Sequence, residues 1–215
     1  MITDGVLFDL DGTLWDSCRV VAESWGETLH RLDPAAICPD TGDVRGIMGM
    51  TAPQIAQTLF SRYGEDAERV CMQCINEETD YITPRGGELY PALKETLAAL
   101  SAHVPLFIVS NCLDGYIQCF LTSSGLGSYF RDFECEGSTG LSKAENIALL
   151  CRRHGLRHPV YVGDTRSDES SARAAGCAFI HAAYGFGSAQ TPDAVLHTLG
   201  ELPELLDFGE EGAHV

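Results

Sequence analysis

Short, uniformly apolar runs recur along the chain, and each is followed by polar or glycine-rich residues and then by a helix-like segment. Runs this short are typical of strands that are buried on both faces of a parallel sheet. Strands that alternate with helices predict an α/β fold with a doubly wound, mostly parallel sheet and a Rossmann-like core. The runs cover residues 6–8, 106–109, 133–135, 160–162 and 178–180.

The segments between these runs have helical periodicity. Leu93, Leu97 and Leu100 follow the i, i+4, i+7 spacing of one helix face. The sequence Ser142-Lys143-Ala144-Glu145 has the Ser-x-x-Glu form of a capping box, which predicts a helix that begins there and ends at Gly155. Further helices are predicted around residues 117–121 and 168–175, before Gly125 and Gly176.

Residues 16–83 lack a strand pattern and form an interval longer than a single crossover needs. Helical patterns fill this interval over residues 21–32, 54–63 and 67–82. We therefore predict an inserted α-helical cap domain over residues 16–83 and an α/β catalytic core over residues 1–15 and 84–215. The glycines of Pro84-Arg85-Gly86-Gly87 favour a hinge between the two.

The chain carries 14 Lys and Arg residues against 31 Asp and Glu residues, a formal net charge of −17. A field of that sign repels phosphate backbones and anionic lipid, which argues against nucleic-acid and membrane-surface binding. No apolar stretch approaches the length of a membrane span, and no long apolar region follows the acidic N-terminus, so we expect no signal peptide. The sequence leaves the oligomeric state open between monomer and homodimer.

Nine cysteines are scattered through a chain that is large enough to fold without disulfides. In the absence of an export signal we expect reduced thiols and a cytoplasmic location. Cys71 and Cys74 form a Cys-x-x-Cys pair, but they lie in a helical pattern without a second pair, so we interpret them as packed thiols. Residues 209–215 are expected to fray.

Polar side chains follow the predicted strands, and ligands of open parallel sheets bind at the carboxyl ends of the strands. Four carboxylates and one ammonium would meet there with a formal charge of −3, which is unstable unless protons or a metal ion balance it. Oxygen ligands favour a hard cation, of which Mg²⁺ is the most available. The residues expected at this edge are Asp9, Asp11, Ser110, Asn111, Lys143, Asp164 and Asp168.

The spacing Asp9-x-Asp11 points both carboxylates the same way at the end of a strand. Two carboxylates that reach one substrate can divide the work, one attacking as nucleophile and the other exchanging protons. Gly12 lets the chain turn away, and Thr13 offers a hydroxyl to the substrate. With a metal ion, this pattern predicts an aspartyl-phosphate intermediate.

The order Asp9-Leu10-Asp11-Gly12-Thr13, Ser110, Lys143 and Gly163-Asp164-x-x-x-Asp168 resembles the four signature motifs of the haloacid dehalogenase superfamily. The insertion after the first motif and the run Tyr184-Gly185-Phe186-Gly187-Ser188 are similar to the phosphoglycolate-phosphatase-like branch, which has a helical cap. The resemblance covers nearly the whole chain. It implies a Mg²⁺-dependent phosphatase that hydrolyses a small phosphorylated metabolite, with phosphoglycolate as the best-known option.

The resemblance also implies a role for each matching residue. Asp9 would be the nucleophile and a metal ligand, and Lys143 would bridge it to the phosphoryl group. Asp11 would protonate the leaving oxygen and then activate water, and its backbone carbonyl would bind the metal. Asp164 would bind Mg²⁺, and Asp168 would either bind the ion as well or support the residues that bind it. Ser110 and the backbone of Asn111 would bind the phosphate.

Two positions bear on the choice of substrate. Many relatives of this branch have a Thr-Asn-Lys run where this chain has Ser110-Asn111-Cys112, so a basic side chain near the substrate is missing. Arg45, in the predicted cap, could clamp a substrate carboxylate or could form a surface ion pair, and we retain it as a substrate-binding candidate. Met48 and Met50 are expected in the core of the cap.

Two other functions share parts of this pattern. A phosphomutase of the same superfamily would return the phosphoryl group to another hydroxyl, but mutase relatives usually carry a valine where this chain has Thr13. A non-enzymatic phospho-receiver domain also combines acidic residues, Mg²⁺, a hydroxyl and a lysine. Receivers are near half this length and lack a helical insertion, so we expect a phosphatase.

Overall fold

The computed structural model describes residues 1–209, so residues 210–215 of the tail that was expected to fray lie outside the described residues. The strands are β1 (Gly5–Phe8), β2 (Trp15–Asp16), β3 (Glu88–Leu89), β4 (Leu106–Ser110), β5 (Phe130–Cys135), β6 (Pro159–Gly163), β7 (Ala178–Ala182) and β8 (Ala194–Leu196). The α-helices are α1 (Cys18–Leu32), α2 (Thr41–Arg45), α3 (Ala52–Leu59), α4 (Ala67–Ile82), α5 (Leu93–Ser101), α6 (Tyr116–Ser124), α7 (Glu136–Thr139), α8 (Lys143–His154), α9 (Arg166–Ala174) and α10 (Leu202–Leu205).

Six strands form one parallel sheet in the order β5-β4-β1-β6-β7-β8. β1 lies inside it, and Leu7 is in register with Phe107 of β4 on one side and with Tyr161 of β6 on the other. The strand order reverses beside β1, and in sheets of this kind the reversal opens a crevice at the carboxyl ends of the strands. The predicted doubly wound, mostly parallel α/β fold is confirmed.

Alternate side chains of the strands enter apolar cores on opposite faces of the sheet. Leu7, Phe107 and Tyr161 lie on one face, where they pack with α8 and α9. Phe8 and Ile108 lie on the other face, where they pack with α5 and α6. Because both faces are buried, the central strands are apolar at every position instead of alternating with polar residues.

The chain between β2 and β3 forms a helical insertion, which contains α1 to α4. α1 and α4 pack together, and Nε1 of Trp25 donates a hydrogen bond of 2.6 Å to Oε2 of Glu78. β2 pairs antiparallel with β3, so the two connections between the insertion and the sheet run side by side. These strands have two residues each, which is too short to show a period in the sequence.

Some elements differ from the sequence predictions. β5 begins at Phe130 rather than at residue 133, because an edge strand tolerates charged residues such as Asp132, which pairs with Arg153 of α8. The helix predicted over residues 54–63 divides into α3 and a 3₁₀ segment, in which Gly64 has a φ of 57°. β8, at the opposite edge of the sheet, was not predicted because it has only three residues.

The nine cysteines are all free thiols, and seven of them are buried. Cys71 and Cys74 both lie on α4, in the segment that the helical pattern predicts. Among residues 1–209, no helix combines the length and the apolar character that crossing a membrane requires.

The central strand allows a test of the packing. Leu7→Ala should lower the free energy of unfolding by about 2–5 kcal/mol, because Leu7 is fully buried and its truncation leaves a cavity. Leu32→Ala, at an exposed position at the end of α1, should change it by only about 0.5 kcal/mol. Denaturant unfolding measures both values. An equal loss of unfolding free energy in both variants would contradict the burial of Leu7 between the sheet and helices α8 and α9.

Candidate active site

Side chains from three neighbouring strands meet at the carboxyl edge of the sheet, beside β1. Asp9 follows β1, Ser110 ends β4, and Asp164 follows β6. Lys143 begins α8, and Asp168 lies in the first turn of α9. The topology therefore brings residues that are far apart in sequence into one crevice.

Lys143 contacts two of the carboxylates. Its Nζ lies 2.8 Å from Oδ1 of Asp9 and 2.6 Å from Oδ1 of Asp168, and all three side chains are buried. The predicted capping box of Ser142 and Glu145 is present, and it defines the helix start from which Lys143 reaches the crevice. A buried ammonium is stable only while its carboxylate partners remain.

Asp168 is held at both of its oxygens. Oδ1 accepts the hydrogen bond from Lys143, and Oδ2 accepts hydrogen bonds from the backbone N–H and the hydroxyl of Thr165 at 3.0 Å and 2.6 Å. Asp168 therefore caps α9 and orients Lys143 at the same time.

Burial and like charges determine the protonation of this cluster. Burial, followed by the charge of Asp168, raises the pKa of Asp9 well above its usual value of 3.8, although Lys143 opposes the shift. Burial and Asp168 also raise the pKa of Asp164 to about 7. Burial opposes the charge on Lys143, but Asp168 and Asp9 outweigh it and raise the pKa of the ammonium. The cluster thus holds more acidic groups than its single cation balances.

Asp164 presents an oxygen that lacks a protein partner. Its Oδ2 accepts hydrogen bonds from the backbone N–H groups of Phe186 at 2.7 Å and Gly187 at 3.2 Å. Its Oδ1 is buried and has no hydrogen-bond partner among residues 1–209. One oxygen each of Asp9, Asp164 and Asp168 lie within 4.8 Å of one another. An all-oxygen donor set with one unsatisfied buried atom fits a hard divalent cation.

Asp11 belongs to a separate hydrogen-bond network. Its Oδ1 accepts hydrogen bonds from Trp15 Nε1 at 2.9 Å, Ser17 Oγ at 2.6 Å and Tyr116 Oη at 3.1 Å. Burial raises the pKa of Asp11, and these three donors lower it. Its side chain is not part of the three-carboxylate cluster, so a metal contact from Asp11 would have to come from its backbone carbonyl, as the resemblance implies.

Thr13 and Ser110 both present hydroxyls near the strand ends. Thr13 Oγ1 is buried and has no hydrogen-bond partner within the described part of the chain. Ser110 Oγ accepts a weak hydrogen bond of 3.3 Å from the backbone N–H of Cys112. Both hydroxyls therefore retain the capacity for a further hydrogen bond.

Asn111 and Arg45 connect the helical insertion to the rest of the molecule. Asn111 Nδ2 donates a hydrogen bond of 2.8 Å to the carbonyl of Gly49. Arg45 forms an ion pair of 3.0 Å with Asp16, and about half of its side chain is exposed. Its guanidinium also lies over the ring of Phe186. Both side chains thus hold the insertion against the sheet edge.

Several residues that support the site were not identified from the sequence. Ser17 and Tyr116 orient Asp11, and Tyr116 Oη also lies 2.8 Å from Ser17 Oγ. Neither residue belongs to a motif, so no local pattern indicated them. The run around Phe186 resembles a segment of the family, but its backbone contacts with Asp164 follow only from the structure.

Comparisons with known proteins agree with this arrangement. The family model described as haloacid dehalogenase-like hydrolase matches residues 6–182. The phosphoglycolate phosphatase of Yersinia pseudotuberculosis is 30% identical over 213 residues, which cover 92% of this chain and 90% of that protein. The phosphoglycolate phosphatase of Vibrio parahaemolyticus is 28% identical over 218 residues, which cover 94% of this chain and 95% of that protein.

Solved structures share the fold over nearly the whole chain. A haloacid dehalogenase-like family hydrolase from Streptococcus pneumoniae superposes with a TM-score of 0.83 at 24% identity, over 95% of this chain and 98% of that chain. A predicted phosphoglycolate phosphatase from Haemophilus somnus superposes with a TM-score of 0.81, also at 24% identity. The superposition covers 94% of this chain and 97% of that chain. The likeness therefore includes the helical insertion as well as the sheet.

Gly12 offers a test of the close packing at the site. Its φ is 81°, and a Cβ at this position would overlap the carboxylate of Asp164. Gly155, with a φ of 67°, would place a Cβ in open space. An alanine would therefore have a strained, left-handed backbone at both positions, but its Cβ would contact Asp164 only at position 12.

Gly12→Ala should lower the free energy of unfolding by about 1–3 kcal/mol more than Gly155→Ala, because only the first substitution forces Asp164 to move. The left-handed backbone costs each alanine about 1–2 kcal/mol. Denaturant unfolding of both variants measures the difference. Equal destabilisation would contradict the close approach of Gly12 to Asp164.

Proposed function

Because the chain belongs to the haloacid dehalogenase-like hydrolase family and is a phosphoric monoester hydrolase, we propose that it cleaves a small phosphomonoester through an aspartyl-phosphate intermediate, with Mg²⁺ as cofactor. The observation that carries this proposal is the contact of Lys143 with Asp9, close to the unpartnered oxygen of Asp164. This arrangement combines a nucleophile, a fixed positive charge and a ligand atom for a cation.

Asp9 is the proposed nucleophile of the first step. A bond forms between a carboxylate oxygen of Asp9 and phosphorus, while the ester bond between phosphorus and the leaving oxygen breaks. Lys143 is held between Asp9 and Asp168, and its charge stabilises the phosphoryl oxygens. Ser110, Thr13 and the backbone of Asn111 are proposed to bind the substrate's phosphate group.

Asp11 is proposed to move the proton in both steps. It protonates the leaving oxygen first, and then takes a proton from the water that attacks phosphorus and releases Asp9. Its Oδ1 is anchored by three donors, whereas no hydrogen bond from residues 1–209 ends on Oδ2. Burial raises the pKa of Asp11 and so favours the protonated form that the first step requires.

The residues proposed to hold Mg²⁺ are Asp9, Asp164, Asp168 and the backbone carbonyl of Asp11. When bound, the ion would neutralise the excess negative charge of the cluster and polarise the phosphoryl oxygens. The fit rests on the oxygen donors gathered within 4.8 Å and on the unsatisfied Oδ1 of Asp164.

We further propose that residues 16–83 act as a cap over a core formed by residues 1–15 and 84–215. The hydrogen bond of Asn111 with Gly49 and the stacking of Arg45 over the ring of Phe186 hold this segment over the crevice. A closed cover excludes bulk water from the reacting groups. The paired strands β2 and β3, with the proposed hinge at residues 84–87 directly before β3, form the connections across which the cap would move.

The names of the relatives suggest a phosphorylated metabolite about as large as phosphoglycolate. A covered crevice of this kind accommodates a small molecule better than a polymer. We also propose a cytoplasmic location, because nine free thiols suit a reducing compartment.

The nucleophile can be tested directly. Asp9→Asn should lower kcat by a factor of about 10³ or more, because an amide cannot form the acyl phosphate. Release of inorganic phosphate from p-nitrophenyl phosphate measures turnover, and product analysis distinguishes hydrolysis from transfer to another hydroxyl. Asp66→Asn, at an exposed residue paired with Arg69, is the control and should keep wild-type turnover. Near-normal activity of Asp9→Asn would overturn this assignment.

Metal binding can be tested with and without turnover. EDTA should abolish activity and lower Tm, and Mg²⁺ should restore both, since a ligand at about 100 times its Kd stabilises the folded state by about 2.7 kcal/mol. Asp164→Asn should lose the Mg²⁺-dependent shift in Tm, whereas Asp66→Asn should keep it. A wild-type protein with the same Tm and activity in EDTA and in Mg²⁺ would refute the metal site.

A further inference from the structure

A cavity of about 70 Å³ lies between the helical insertion and the carboxyl edge of the sheet. Asp11, Ser110 and Asn111 border it on the sheet side, so it adjoins the groups proposed to bind the phosphoryl group and to protonate the leaving oxygen. The organic group attached to that oxygen would therefore extend into this cavity. At roughly 10–15 Å³ for each water-sized group, a cavity of about 70 Å³ holds about five to seven non-hydrogen atoms.

The insertion lines this cavity mainly with apolar side chains. They include Val21, Trp25, Ile47, Met50, Ile55 and Ile75. The insertion also contributes one acidic side chain to the cavity lining, that of Glu78. Glu78 is buried and accepts the hydrogen bond from Trp25. Burial raises the pKa of Glu78 to about 8, so its carboxyl group is mostly uncharged at neutral pH.

Among residues 1–209, no Lys, Arg or His side chain lines the cavity. Arg45, the basic residue of the insertion that was considered for a substrate carboxylate, is paired with Asp16 and does not line it. Lys143 is held between Asp9 and Asp168, outside the cavity lining. A substrate carboxylate that entered this cavity would lose its hydration. It would lie beside two acidic residues, Asp11 and Glu78, and no positive charge would compensate for the lost water.

We propose that the cavity selects phosphomonoesters whose organic group is short, uncharged and largely apolar, and that it disfavours esters that carry a carboxylate. This inference rests on the proposed phosphatase function and names the substrate class of the same site. An alkyl group gains from the apolar contacts in proportion to the area it buries. A carboxylate finds no positive charge there to replace the water it leaves.

Three esters of similar size test this preference through kcat/KM at a fixed Mg²⁺ concentration. Isobutyl phosphate is uncharged in its organic group, 2-phosphoglycolate carries a carboxylate, and O-phosphoethanolamine carries an ammonium. Isobutyl phosphate should exceed each of the other two at least tenfold. Phosphoglycolate hydrolysed as well as isobutyl phosphate would overturn the inference. A preference for phosphoethanolamine would also overturn it, because Glu78 would then act as a counter-ion.

The two proposals fail in distinguishable ways. Hydrolysis with the reverse preference overturns the inference and leaves the phosphatase function intact. If neither these esters nor p-nitrophenyl phosphate are hydrolysed in the presence of Mg²⁺, the phosphatase proposal fails and the inference fails with it.

Adding a positive charge tests the cause of the preference. Met48 lines the cavity and is partly exposed, so Met48→Lys can place an ammonium there without burying a whole new side chain. The ratio of kcat/KM for phosphoglycolate to that for isobutyl phosphate should rise at least tenfold. Met72→Lys makes the same change outside the cavity on α4 and should leave the ratio unchanged. A folded Met48→Lys variant with an unchanged ratio would overturn the inference.

Arg45→Ala separates cap closure from substrate recognition. Because Arg45 contacts Asp16 rather than the cavity, its loss should change kcat/KM for phosphoglycolate and isobutyl phosphate by the same factor. A loss confined to phosphoglycolate would show that Arg45 binds the substrate's carboxylate, and the inference would be wrong.

Discussion

The buried contact of Lys143 with Asp9 and Asp168 is the interaction on which the rest of the site depends. It joins residues that are 134 and 25 positions apart, and only the parallel sheet brings them together. An ammonium removed from water needs carboxylate partners, and the carboxylates need a cation in turn. One lysine cannot balance three acids, and Oδ1 of Asp164 is buried without a hydrogen-bond partner among residues 1–209. The way the charges are packed therefore favours the binding of a further cation or of protons.

The backbone around Asp164 gives this charge cluster its geometry. The N–H groups of Phe186 and Gly187 bind one oxygen of the carboxylate, and the loop at Gly12 passes against the same group with no space for a side chain. The carboxylate is therefore oriented before any ligand arrives, which reduces the entropy lost on binding. Glycine at position 12 is required by contact and by backbone conformation together, so the tight turn and the proposed metal ligand Asp164 are parts of one structural unit.

The fold and the convergence of Asp9, Asp164 and Asp168 could be predicted from the sequence because their signals are local. An apolar run, a Ser-x-x-Glu box and an Asp-x-Asp pair after a strand can each be recognised without knowledge of distant residues. The bonds from Ser17 and Tyr116 to Asp11 could not be predicted, because Tyr116 is 105 positions away from Asp11 and belongs to no motif. The same holds for the pairing of Arg45 with Asp16, since a basic residue beside glycines fits a substrate clamp and an ion pair equally well until the position of its partner is known.

Reaction chemistry and substrate choice depend on different parts of this chain. The acidic cluster and Lys143 lie on strand ends and helix starts of the core, whereas most of the cavity lining comes from the insertion. The lining residues on α1, α3 and α4 follow the helical period that buries one face of each helix, and many apolar side chains satisfy that period equally well. An identity of 30% with a phosphoglycolate phosphatase therefore leaves room for a different cavity lining beside the same family motifs. For this reason, the kind of bond that is cleaved follows from the family, whereas the proposed preference for the organic group rests on Glu78 and its apolar neighbours.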